Sequence, residues 1–259
     1  MKVVILCGGQ GTRIRDVNEH LPKPMLPIMN KPILWHIMKY YAHYGHKEFI
    51  LCLGYKGEVI RNFFLNYEAN ICDLEVTLGS NGGVKYFNNH QEDGWSVVLA
   101  ETGQDSMTGA RLKKIKKYIG DDENFMLTYG DGVGDINLSS LINFHQAQKQ
   151  ILTVTGVRPP GRFGELMQED GIVTEFNEKP QSNEGRISGG FFVCNKKIFD
   201  YLDDREDLTL ELEPMKSLVS DRKMAMFGHD GFWQPMDTYR DYMLLNKLAV
   251  SGNAPWIKW

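Results

Sequence analysis

The hydrophobic positions in the first seventy residues alternate between two periods. Residues 2–7, KVVILC, are a short, continuous, β-branched apolar run, the pattern of a parallel strand buried on both faces. Over 32–44, PILWHIMKYYAHY, Ile33, Leu34, Ile37, Met38 and Tyr41 fall on one helical stripe, opened by Pro32 and closed by Gly45. FILCL at 49–53 predicts the next strand. After Gly54-Tyr55 a second helix carries Val59, Ile60, Phe63, Phe64 and Tyr67. This alternation argues for an α/β protein whose parallel sheet is covered by helices on both faces.

Further strands are expected near 73–78, 96–101, 124–129 and 151–157, with helices near 110–119 and 138–149. Beyond 157 the texture shifts to shorter strands and turns (GRFGEL, GIVTEF, GGFFVCN), and helical segments near 211–219 and 238–249 close the chain. No internal repeat or linker interrupts it. One α/β domain over 1–259 with a small C-terminal elaboration is the expected organisation, since 259 residues suffice for one full core.

Composition narrows the chemistry. A net charge of −4 gives no support to a nucleic-acid binder, and the basic run KKIKK at 113–117 reads as the solvated face of a helix. The four cysteines, at 7, 52, 72 and 194, lack C-x-x-C pairing; Cys7, Cys52 and Cys194 sit in apolar runs and read as buried small hydrophobes. No apolar stretch approaches the ~20 residues that span a bilayer, and VVILCGG is too short for a signal sequence. A cytoplasmic, reduced setting without membrane contact is expected.

Candidate chemistry starts at the loop after the first strand, CGGQGTR. Gly8, Gly9 and Gly11 let backbone N–H groups approach an anion closely, and Arg13 adds a planar donor fork. The loop is neither a Walker A nor a dinucleotide fingerprint, and a plain tight turn is the competing reading. Lys23, in LPKPM, is held between two prolines and suits a phosphate clamp or a solvated loop. In GQDSMTGAR at 103–111, Ser106, Thr108 and helix-start amides make an anion-friendly edge. Arg111 there opposes the helix dipole unless an anion is near. Asp131, at a strand end in YGDG, would repel a phosphate unless a cation intervened. Mg2+ takes one or two carboxylates plus phosphate oxygens and water, and Asp237 in FWQPMDT is a candidate second ligand. Asp131 is equally a competent turn former. Glu178 and Lys179 in EKP could meet hydroxyls and a second phosphate. No nucleophile elbow is present.

GGQGTR at 8–13, KP at 23–24, GD at 130–131, EKP at 178–180 and GG at 189–190 occur in one order along the chain. That ordered set resembles the sugar-1-phosphate nucleotidylyltransferases and covers essentially the whole chain. KPILWHIMKYY, GYKGEVI, DSMTGARLK, LTYGDGV, PPGRFGEL, GGFFV, GFWQPMDTYRD and the late APW are similar to the cytidylyl branch of that family, the glucose-1-phosphate cytidylyltransferases. Two positions depart from that branch: Ser188 stands where Asn is expected, and Leu210 where an aromatic is. Both lie in segments expected to line the sugar pocket. Residues 80–93 match loosely.

The resemblance implies a mixed, mainly parallel, Rossmann-like nucleotidyltransferase fold, with residues 1–157 as nucleotide-binding half and 158–259 as sugar-binding half. It implies Mg2+-dependent transfer from CTP to α-D-glucose 1-phosphate, giving CDP-glucose and pyrophosphate. Alternatives are UTP or dTTP as donor, another phosphorylated acceptor, or a non-catalytic binding homologue. In this reading the backbone of Leu6, Cys7, Gly8, Gly9, Gln10, Gly11, Thr12 and Arg13 wraps the nucleotide, with Arg13 on the leaving phosphates. Lys23 meets the α-phosphate, and Asp131 with Asp237 holds Mg2+. Lys179 meets the sugar phosphate and Glu178 the sugar hydroxyls. Ser106, Arg111 and Gly130 form the base and ribose wall, and Gly189 completes the binding set. A homo-oligomer is implied as well.

Overall fold

A computed structural model of the chain describes residues 1–11, 14, 18–80, 82–87, 90–159, 165–169, 172–177 and 185–259. Its centre is a seven-stranded sheet of β1 (Val3–Leu6), β2 (Glu48–Leu53), β3 (Ser96–Glu101), β4 (Asn124–Tyr129), β5 (Leu152–Val157), β6 (Ile187–Asn195) and β7 (Met224–His229). Their spatial order is β7-β5-β6-β4-β1-β2-β3. The pairs β1–β2, β1–β4, β2–β3 and β5–β7 are parallel, and β6 alone runs against both its neighbours, β5 and β4. The sheet is therefore mixed and mainly parallel.

Because side chains alternate across a strand, each apolar run feeds two cores. Val3, Ile5, Phe49, Leu51, Phe191 and Val193 pack into the core on one face. Val4, Leu6, Ile50, Cys52, Phe192 and Cys194 pack into the core on the other. The helix Ile33–His43 closes over the first core with its Ile33, Leu34, Ile37, Met38 and Tyr41 stripe. The helix Thr108–Lys114 closes over the second through Ala110 and Leu112. Cys7, Cys52 and Cys194 are buried, as their surroundings in the sequence indicate.

Two expectations change. The strand expected near 73–78 forms, as Leu74–Thr77, but pairs with Gly83–Tyr86 in a separate hairpin exposed along both strands. Asp73, Glu75 and Thr77 interrupt its apolar positions, so it cannot be buried on both faces as a central strand must be. The run KKIKK is not simply a solvated face. Lys113 Nζ donates to the Leu202 carbonyl at 2.6 Å, and Lys114 Nζ to the Thr102 carbonyl at 3.0 Å and to Glu206. No helix among the described residues is long and apolar enough to cross a membrane.

One buried group in the first core makes stability depend on pH. His36 is 4% exposed, its Nε2 lies 3.1 Å from the Ile28 carbonyl, and Nδ1 has no partner among the described residues. Burial pulls its pKa down to about 4, the Ile28 carbonyl opposing and Lys31 adding to the effect. A depressed pKa stabilises the fold fully above the ordinary value near 6.5, and this contribution is lost as pH falls toward 4. Roughly 3 kcal/mol is at stake. Urea midpoints at pH 7.5, 5.5 and 4 should fall more for the wild type than for His36→Gln. Parallel curves would mean that carboxylates elsewhere set the acid limit.

Candidate active site

The six co-directional strands all end at one edge of the sheet, where ligands bind in open α/β folds. Three of the segments at that edge are locked by short-range structure. Lys23 begins a 3-10 turn, Lys23–Met25, whose Met25 amide donates to the Pro22 carbonyl at 2.8 Å and whose Pro24 and Met25 are buried. Asp131 follows β4 and leads into the strand Gly132–Gly134, which pairs antiparallel with Trp233–Pro235. The Met236 amide then donates to the Asp131 carbonyl at 2.8 Å. Asp237 stands next to Thr238, which forms a capping box with Asp241 at the start of the helix Tyr239–Val250. A two-stranded ribbon thus fixes two carboxylates that are 106 positions apart in the chain (237 − 131).

Lys23 Nζ lies between them, 2.6 Å from Asp131 Oδ2 and 2.6 Å from Asp237 Oδ1. Its side chain is 10% exposed. Burial disfavours the ammonium, but the Asp131 carboxylate and then that of Asp237 outweigh it, and Lys23 titrates above an ordinary lysine. It is a permanent cation at neutral pH.

The glycine loop is shaped around a second cation. Arg111 is 4% exposed and enters the loop cluster from the side. Its Nη1 donates to the Leu53 carbonyl at 2.9 Å, Thr102 Oγ1 at 2.8 Å and the Gly103 carbonyl at 2.7 Å. Nη2 donates to the carbonyls of Gly8 at 3.0 Å and Gln104 at 3.2 Å. A Cβ on Gly8 would lie 2.2 Å from Nη1, and one on Gly54 2.3 Å from the same atom. The glycine requirement at Gly8 is therefore for guanidinium space, while at Gly11, with φ +56°, a Cβ would press on Lys23 Cβ at 2.9 Å. In the sequence, Arg111 at a helix start suggested a bound anion. In the fold its donors are aimed at loop carbonyls, so it braces the site while also lining its wall.

A cavity of about 390 Å³ opens here, and the residues from Leu6 through Gly11, with Lys23, Ser106, Arg111, Gly130, Asp131 and Asp237, line it together. Ser106 Oγ donates to the Thr102 carbonyl at 2.6 Å and contacts Glu206, so the Ser106 turn is held in place. A Cβ on Gly130 would lie 3.2 Å from Pro24 Cγ and 3.1 Å from Cys7 Cβ, which seats the Lys23 turn against the end of β4. The Cys7 thiol is driven well above its usual pKa by burial and then by Cys52, Arg111 opposing. It is packing, not a thiolate nucleophile. Gly189 is not part of the cavity; its carbonyl accepts from Trp233 Nε1 at 2.7 Å. Thr12, Arg13, Glu178 and Lys179 lie outside the described residues.

Reading by motif missed Tyr129 and Met107, which also line the cavity. Tyr129 is the last residue of β4, so its position was legible in LTYGD. Its hydroxyl contacts Glu211, and burial together with that carboxylate raises its pKa. Glu211 also accepts from Thr108 Oγ1 at 2.6 Å, tying the segment before the helix Glu213–Ser220 to the cavity wall. Leu210, in contrast, is fully buried in the second core, and Ser188 is exposed. The Leu210 side chain packs in that core and does not line the cavity.

Similarity to known proteins agrees with this geometry. The chain is 45% identical, over all 259 residues and the whole length of both chains, to a glucose-1-phosphate cytidylyltransferase of Salmonella typhi. A protein of the same description from Salmonella typhimurium is equally similar, 45% identical over 100% of both chains. The solved structure of HddC from Yersinia pseudotuberculosis complexed with GMP-PN matches with a TM-score of 0.68. It covers 95% of this chain and 98% of its own at 24% identity, a likeness of fold. With the family model for nucleotidyl transferases matching residues 2–249, and a glycine loop, a lysine and two carboxylates gathered at one sheet edge, the chain belongs to the nucleotidyl transferase family.

Proposed function

We propose that this protein transfers a cytidylyl group from CTP to α-D-glucose 1-phosphate, releasing CDP-glucose and pyrophosphate. The observation that carries the reading is the cluster of Lys23, Asp131 and Asp237 lining one cavity together with the Gly8–Gly11 backbone. Full-length relatives that carry this activity in their names support the choice of nucleotide and sugar. The sugar-phosphate oxygen is already ionised near pH 7 and needs no general base. It attacks the α-phosphorus in line; the new O–Pα bond forms as the bond to the bridging oxygen of pyrophosphate breaks. Catalysis then rests on positioning and on stabilising charge.

In this reading the glycine-loop amides meet the triphosphate, and Lys23 neutralises the α-phosphate. Ser106, Arg111 and Gly130 bound the base and ribose, while Arg13, Glu178 and Lys179 act on the phosphates and sugar from outside the described residues. Residues 158–259 supply the sugar side of the cleft. The donor set fits a divalent cation: two carboxylates already converge on one positive charge. A pair of carboxylates suits Mg2+, which completes its shell with phosphate oxygens and water. Asp131 and Asp237 would hold Mg2+, which would supply positive charge to the phosphate oxygens. The enzyme is read as cytoplasmic and homo-oligomeric, the exposed apolar hairpin bearing Val76, Leu78 and Val84 being consistent with a subunit contact.

The test is Mg2+-dependent pyrophosphate release with CTP, UTP, dTTP and ATP, each against a panel of hexose 1-phosphates. Turnover confined to CTP with glucose 1-phosphate is the expected result. Turnover with UTP or dTTP, or with another sugar, would reassign the specificity, and silence across the panel together with CTP binding would mark a non-catalytic homologue.

A further inference from the structure

Lys23 cannot fill its two assignments at once. In the structure its ammonium occupies the position between Asp131 and Asp237, 2.6 Å from each carboxylate. In the reaction, those carboxylates are to hold a divalent cation while the ammonium meets the α-phosphate. We infer that Lys23 is a built-in counter-ion that holds the metal site closed until a nucleotide phosphate draws its ammonium away, so that metal and nucleotide enter as a coupled pair. The inference rests on the metal-dependent reading of Asp131 and Asp237 given above.

The parts differ in mobility in the sense this requires. Asp131 is held through its carbonyl by the Met236 amide and by the ribbon 132–134 with 233–235. The Asp237 amide donates to Asp241 Oδ2 at 3.1 Å, next to the capping box. Lys23 is fixed at its backbone by the 3-10 turn, but its ammonium rides on a flexible four-carbon stem. With all three backbones anchored, the long lysine stem has more torsions to swing through than the short aspartate side chains.

Charge sets the order of events. A divalent cation added beside the ammonium would meet a like charge at close range in a partly buried site. The cation must therefore displace Lys23. Without a phosphate, the displaced ammonium loses two charge-assisted hydrogen bonds in a site where its side chain is 10% exposed. With the nucleotide in place, a phosphate oxygen receives it and that loss is offset. By linkage, each ligand raises the other's affinity by the same factor. The arrangement keeps the carboxylates together in the nucleotide-free protein and disfavours metal binding there.

Mn2+ serves as the probe, its free aquo ion counted by electron paramagnetic resonance. The measurement is made on the wild type, Lys23→Ala and Lys23→Met, without nucleotide and with CTP against a CTP-only blank. Without nucleotide the Lys23 variants should bind Mn2+ about tenfold more tightly than the wild type, within the usual range of coupling between sites. Adding Asp131→Asn to Lys23→Met should erase the gain. Should the variants not fold, the Lys23 ammonium resonance of the wild type decides: Mg2+ alone should leave it in place, and Mg2+ with CTP should move it. Equal Mn2+ affinity in wild type and variants, with CTP-dependent binding retained, overturns the exchange and leaves the catalytic reading standing. Absence of protein-bound Mn2+ in every sample, CTP included, overturns both.

Discussion

Lys23→Ala and Asp131→Asn each lower kcat by about 10²–10³ while leaving the fold intact, the loss that follows removal of one transition-state charge partner, on the order of 3–4 kcal/mol. The two substitutions fail for different reasons. Lys23→Ala removes the cation that meets the α-phosphate and leaves Asp131 and Asp237 facing each other without the ammonium between them. Asp131→Asn keeps the side-chain volume and Lys23's contact with Asp237 but halves the acidic pair. Steady-state pyrophosphate release gives the rates, and thermal melts show that both proteins are folded. Near-normal turnover in either would remove that residue from the catalytic machinery.

Arg111→Ala has the largest structural effect. Its guanidinium donates five hydrogen bonds to the carbonyls of Gly8, Leu53, Gly103 and Gln104 and to the Thr102 hydroxyl. Hydrogen bonds made by a charged group contribute about 1.5–3 kcal/mol each and are not additive. A loss of at least roughly 3 kcal/mol is expected, a drop in Tm of about 6–12 °C for a chain of this size. Leu53 and Gly8 retain backbone donors, from Thr102 at 3.1 Å and Tyr55 at 3.0 Å, so the damage concentrates on the 103–104 turn and on the space between Gly8 and Gly54. The glycine loop should loosen, raising KM for CTP about tenfold or more, as expected when a positioning group is lost. Differential scanning calorimetry with steady-state kinetics measures both. An unchanged Tm with only KM raised would mean that Arg111 acts on the nucleotide alone.

Much of the first half of the chain was legible because its patterns are local. VVILC at 3–7 and FILCL at 49–53 are apolar at every position, and that suffices for strands buried on both faces. The stripe from Ile33 to Tyr41 likewise settles a helix, but every residue from Ile33 through Tyr41 is buried, so the fold covers it on the polar side as well. The run at 73–78 has strand character but alternates apolar with polar positions, and its partner, Gly83–Tyr86, follows closely enough in the chain to pair with it as a hairpin. Reading it as one more strand of the alternation overlooked its charged positions.

Within the site, the motifs determined which residue types are present: a glycine loop, a proline-flanked lysine, two isolated aspartates and an arginine at a helix start. What those residues do to each other was decided by tertiary structure. Lys23 and Asp131 are 108 positions apart, and Lys23 and Asp237 are 214 apart, so no local pattern could show that one ammonium bridges both carboxylates. The need for glycine at position 8 reads locally as room for a phosphate, yet the nearest atom to a Cβ there belongs to Arg111. Leu210 reads as a pocket residue by its place in a motif, yet it packs in the core. Hydrophobic period is a property of neighbours in the chain and survives without the fold; charge pairing and close approach depend on distances in space, which exist only once the sheet has brought its loop ends together.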